Sequence, residues 1–140
     1  MSNDFREQLE SDFHVAAEAV IGNEFRSVCQ RWLNRFCPSV KRNTGKWVYN
    51  GYWWHAYSFN HEIAVTGIRA FENYQSKPIE PFFVFHESYD FLFDCSASTW
   101  PDLRSIEDDI HVFPHKMTWA FLTTHEMSMG LGPYFALPPT

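Results

Sequence analysis

The sequence is short of basic residues: 11 Lys and Arg stand against 17 Asp and Glu, for a formal charge of −6. Phosphate neutralisation needs clustered cations, so no general nucleic-acid binder is expected, and a basic protein partner suits the chain better. Cysteine is scarce too. Cys29, Cys37 and Cys95 are odd in number and form no CxxC pair, which speaks against a disulfide framework and for buried thiols in a reducing compartment. No run approaches the roughly 18 apolar residues of a membrane span. The first ten residues are polar and lack the apolar stretch of a signal peptide. A cytoplasmic location without membrane contact is the expectation. Sequence signatures of catalysis are also missing. No GxSxG turn surrounds Ser58, Cys95 or Ser128, and His125 to Met129 lacks the second histidine of HExxH. Gly130-Leu131-Gly132 is too short for a phosphate loop, and Pro133 removes a backbone donor there.

What the chain has in quantity is aromatic surface: 14 Phe, 6 Trp and 6 Tyr, enough to build a core mainly from rings. At 140 residues and 45 % hydrophobic, one domain over 1–140 is expected, with a helical part at 3–37 and a sheet-rich part at 46–136. Phe5, Leu9, Phe13, Ala16 and Val20 recur at helical spacing, and so do Ile21, Phe25, Val28, Trp32 and Phe36. Gly22-Asn23 separates the two stripes, Asn23 suits an N-cap, and Pro38 ends the second helix. Lys41 to Lys46 reads as a loop. Trp47-Val48-Tyr49 and Tyr52 to Phe59 flank Asn50-Gly51, the pattern of a hairpin with a type I′ turn. Thr66 then caps a short helix carrying Ile68, Phe71 and Tyr74. Strands are expected at 82–86, 89–95, 110–113 and 117–125, with 131–136 returning beside the last. Helices first and antiparallel strands afterwards, with one inserted helix, give an α+β fold.

Chemistry has few candidates. His125 beside Glu126 suggests a general base or a metal ligand. Neighbours on a strand face opposite ways, so one site uses both only if the strand ends between them. His55, His61 and His111 can join His125 if their strands are adjacent. The simpler reading has His125 closing a strand by a hydrogen bond and Glu126 opening a turn, with no catalytic residue, metal or cofactor. The acidic run Glu107-Asp108-Asp109, with Glu80, Glu87, Asp90 and Asp94, reads either as a solvated face or as a docking surface for a basic protein. Trp100 and Tyr134 are its candidate anchors.

The C-terminal segment resembles a small bacterial family of uncharacterised proteins, a domain of unknown function. The residues that carry the likeness are Thr118-Trp119, in inverted order relative to that family's Trp-Thr, then Thr124-His125-Glu126 and Gly132-Pro133-Tyr134-Phe135. Trp54-His55, Tyr57-Ser58, Gly67 and Ala70-Phe71 extend it over residues 52–136. The resemblance implies no activity. In size and charge the chain is also similar to immunity proteins that neutralise toxins. The leading expectation is a non-enzymatic immunity or inhibitor protein. The alternatives are a small hydrolase or metal-dependent enzyme using His125 and Glu126 with His55, and a self-associating scaffold domain.

Overall fold

The computed structural model describes residues 3–48 and 51–139. Its strands are β1 (Ala16–Val20), β2 (Val65–Thr66), β3 (Phe82–His86), β4 (Leu92–Ser96), β5 (Ile110–Pro114), β6 (Ala120–Leu122) and β7 (Tyr134–Ala136). They form one sheet in the order β1-β4-β3-β5-β6-β7-β2, with every neighbouring pair antiparallel. The helices are α1 (Asn3–Phe13), α2 (Gly22–Phe36), α3 (Pro38–Thr44), α4 (His55–Ser58) and α5 (Ile68–Gln75), with 3-10 turns at Leu103–Ile106 and Met127–Met129. The fold is α+β, as the order of apolar patterns predicts.

The central strands β3 and β5 are buried at every position because both faces of the sheet are covered. Phe82, Val84 and Val112 point to a layer with Phe5 and Leu9 of α1, Tyr74 of α5, Trp100, Trp119 and Phe121. Phe83, Phe85 and Phe113 point the other way, against Trp32 and Phe36 of α2, Val40 of α3 and Trp54. Alternation along each strand thus divides the aromatic residues into two layers.

Several local expectations are corrected. The first apolar stripe is not one helix. His14, in the left-handed region at φ 57°, closes α1, the Val15 amide returns to the Leu9 carbonyl at 3.0 Å, and residues 16–20 become β1. Pairing with β4, Ala16 to Ser96 through Val20 to Leu92, overrides the helical preference of an alanine-rich stretch. The helical part 3–37 therefore contains a strand. The N-cap of α2 is Ile21, not Asn23. Pro38 does more than follow α2: it opens α3, which occupies most of the expected 41–46 loop and ends at Gly45 in the left-handed region.

The expected hairpin is absent from the described residues, and Tyr49-Asn50 at its turn lies outside them. Its long arm is α4, held by non-local bonds that sequence periodicity cannot show. The Trp53 amide donates to Glu87 Oε1 at 3.0 Å, and Trp54 Nε1 donates to Asp109 Oδ1 at 2.8 Å. Gly67, rather than Thr66, holds the N-cap position of α5, and Thr66 belongs to β2. The insertion between the N-terminal helices and β3 therefore carries two helices, α4 and α5, and not one. The 117–125 strand shrinks to Ala120–Leu122, because Met117 adopts a positive φ of 52° at its start.

Candidate functional site

Three imidazole–carboxylate pairs gather where β3 ends, β5 begins and β6 stops. Asp109 immediately precedes β5 and is buried, and its carboxylate accepts from three donors. These are Trp54 Nε1 at 2.8 Å, the His125 amide at 3.0 Å and His125 Nδ1 at 2.9 Å. Because Asp109 accepts a hydrogen bond from Nδ1–H, proton exchange falls to Nε2, which lies 3.9 Å from Glu126 Oε1. The hydrogen bond to Asp109 raises the His125 pKa above the ordinary imidazole value, against a smaller opposing effect of desolvation. Strand β6 ends at Leu122, before both His125 and Glu126, so the two share one side.

The second pair is enclosed. His111 Nε2 meets Glu87 Oε2 at 2.7 Å, with the two side chains 1 % and 6 % exposed. Trp32, Trp53 and Phe85 surround the imidazole at ring separations of 4.9, 5.7 and 5.4 Å. The third pair joins His86 Nε2 to Asp108 Oδ2 at 3.1 Å. Thus two of the three residues in the run Glu107-Asp108-Asp109 are engaged by histidines.

Next to His125 an aromatic group reaches solvent. Tyr52 contacts both His55 and His125, at 5.3 and 5.0 Å, and His55 meets Phe59 at 5.1 Å. Trp54 also touches both imidazoles, at 4.4 and 5.9 Å. Tyr52 is 39 % and Phe59 48 % exposed, and farther along the same surface segments Ile63 is 93 % and Met129 75 % exposed. A cleft of about 320 Å³ runs between these segments, lined by Ser58, Asn60, Ile63, Gly130 and Leu131 among others.

The fold brings His125 and Glu126 together with Asp109 behind the imidazole, and His55 reaches His125 only through Tyr52 and Trp54, which touch both rings. It does not bring His111 into that group, since His111 is sealed in the aromatic layer with Glu87. No set of three or more His, Cys, Asp or Glu among the described residues is arranged to hold a metal ion. Glu107 and Asp90 are exposed, and Asp94 is half-buried and bonded to His115 Nε2 at 2.7 Å. Trp100 and Tyr134, the expected surface anchors, are each only 6 % exposed. Trp100 is held inside by its Nε1 bond to the Lys77 carbonyl, and Tyr134 by its place on β7 against Tyr57. Tyr52 and Phe59, which sequence periodicity assigned to a hairpin arm, take the exposed positions instead. Trp54 and Asp109 were equally hidden as a site, because 55 residues separate them and no local pattern joins them.

The profile of a family described as Domain of unknown function (DUF4275) matches residues 5–135. No curated protein and no solved structure matches the chain. The match covers the sheet up to Phe135 in β7 together with α5, and it reaches well beyond the C-terminal motifs that carry the resemblance in sequence. No helix among the described residues is long and apolar enough to cross a membrane.

Proposed function

The chain belongs to the DUF4275 family, and we propose that it acts as a non-enzymatic binding protein of the immunity or inhibitor type. In this reading it is a bacterial, cytoplasmic protein that covers a basic toxin or enzyme. The observation that carries the reading is the exposed aromatic pair Tyr52 and Phe59, joined through His55, with Tyr52 also on His125 next to the Glu126 carboxylate. Large apolar side chains standing together in solvent mark interaction sites, and aromatic residues ringed by charge make good anchors. A net charge of −6 favours a basic partner and a salt-sensitive association.

The test is affinity capture from the source organism with a salt titration, comparing the wild type with a Tyr52→Ala/Phe59→Ala double variant. A basic protein should be retained by the wild type, released as salt rises, and lost from the double variant. Retention of the same protein by both, at all salt concentrations, would sink the electrostatic aromatic surface.

The Asp109–His125 geometry favours a second reading, a small hydrolase with His125 as general base. A buried carboxylate that fixes Nδ1 and leaves Nε2 toward solvent is the arrangement such a base requires. Hydrolysis of p-nitrophenyl acetate with a pH profile tests it. A wild-type rate no greater than that of His125→Ala removes this option.

A further inference from the structure

The two edges of the sheet are protected to different degrees. At one edge, β2 is only two residues long and runs at once into Gly67 and α5, which leaves little to pair with. At the other edge, β1 has five residues in unbroken register with β4 and, among the described residues, no strand on its outer side. Alternate residues of an antiparallel edge strand turn both N–H and C=O outward, and natural edges are normally blocked by lysine, proline, a bulge or brevity. The β1 sequence, Ala-Ala-Glu-Ala-Val, has no lysine, proline or bulge, and the one charge that guards it is acidic. Its one charged residue is Glu18.

Glu18 lies directly opposite Asp94 on β4. Like charges across a ladder are unfavourable, and among the described residues no ion pair involves Glu18, while Asp94 is met only by His115. Beyond the end of β1, Ile21, Phe25 and Phe91 line a cleft of about 490 Å³ with Asp90 and Arg26 at its rim. Ile21 is more than half exposed there. An open backbone edge, an acidic row in its middle whose outer member Glu18 makes no ion pair among the described residues, and a cleft walled partly by aromatic and aliphatic side chains at its end define one kind of occupant.

We propose that β1 is a docking edge that takes an extended basic segment of a partner protein as an eighth strand. A Lys or Arg sits opposite Glu18 on the face shared with Asp94, and a large apolar side chain enters the Ile21–Phe25–Phe91 cleft. Main-chain bonds supply adhesion in such strand addition, and alternate side chains supply choice. A second copy of this chain is not the occupant. The register that pairs all five residues of β1 with themselves sets Glu18 against Glu18, and with the second copy's Asp94 it puts four like charges in the row. This edge is separate from the surface around His125 and shares with it only the sign of the partner's charge.

The test uses the full chain and a capped eight-residue peptide alternating valine and lysine, with a valine–glutamate peptide as control, followed by amide hydrogen exchange. The lysine peptide should slow exchange across residues 16–20, less so at high salt, and the glutamate peptide should not. Glu18→Lys replaces a like-charge pair with an opposite one, so the variant should melt no lower than wild type. It should weaken binding of the lysine peptide at least about tenfold and turn the preference toward the glutamate peptide. Absence of protection at residues 16–20, equal protection by both peptides, or an unchanged preference in Glu18→Lys would overturn the proposal. So would a peptide-free dimer with β1 amides already protected. If β1 behaves as described while capture by the Tyr52 and Phe59 surface fails, the reading of that surface falls and the edge stands.

Discussion

On the α1 and α5 side of the sheet, polar tips of buried rings end on carbonyls. The Tyr74 hydroxyl donates to the Pro101 carbonyl at 2.7 Å and Trp100 Nε1 to the Lys77 carbonyl at 2.6 Å. On the α2 and α4 side, Trp32 Nε1, the Tyr57 hydroxyl, Ser58 Oγ and His111 Nδ1 meet no partner among the described residues. The same side buries Glu62, whose carboxylate is spent on the Ser39 and Val40 amides at the start of α3, and the Glu87–His111 pair. An unpaired buried polar group costs about 1–3 kcal/mol. The two layers are similar in size and aromatic content, yet only one has its polar atoms satisfied. The layer that forgoes stability is also the one that carries Trp54, Asp109 and His125. Sites of function are where such departures from full satisfaction are expected to collect.

The comparison can be broken most forcefully in the satisfied layer. Phe121 stacks on Tyr74 at 4.2 Å and 5° and is almost fully buried. Phe121→Ala should therefore cost about 3–5 kcal/mol in urea unfolding, and a loss under 1 kcal/mol would mean that this layer is looser than its geometry. A matched pair of hydroxyl deletions comes next. Tyr74→Phe strands the Pro101 carbonyl and should cost about 1–2 kcal/mol, whereas Tyr57→Phe removes a hydroxyl with no partner and should be neutral or stabilising. Equal losses in both variants would erase the distinction between the layers.

Two smaller effects sharpen it. Asp109→Asn should lower the His125 pKa toward the ordinary value near 6.5, read from the imidazole proton shifts by NMR. Because the folded-state value is raised, the stabilisation from this pair is fully present below the unfolded value. It is lost as pH rises through the folded one, and Asp109→Asn should flatten that dependence. Finally, burial pushes the Cys37 and Cys95 thiols far up and Cys29 to about 12. Reaction of all three with a disulfide reagent at neutral pH should be slow in the native protein and fast in urea.

Much of the sheet was legible because β3 and β5 are short apolar runs between turn residues, and α2 has a clear helical stripe. The strand β1 was not, since alanine spacing fits a helix as well as a strand and only the β4 register decides between them. The segment 52–59 misled for the opposite reason. Its alternation is real, but bonds from Glu87 and Asp109 hold it in a helical turn. His125 and Glu126 could be singled out from sequence as titratable neighbours. Their partner Asp109 looked like one charge in an acidic run, because its burial depends on a tryptophan 55 residues away.

By itself the sequence determined the α+β class, the aromatic core, the negative charge and the shortlist of histidines, all of which follow from composition and short-range periodicity. The tertiary structure decided which carboxylates are spent on histidines, which aromatic residues face solvent, and which edge of the sheet stays open. Those outcomes depend on contacts between residues far apart in the chain, where the free energy of pairing and burial outweighs local preference.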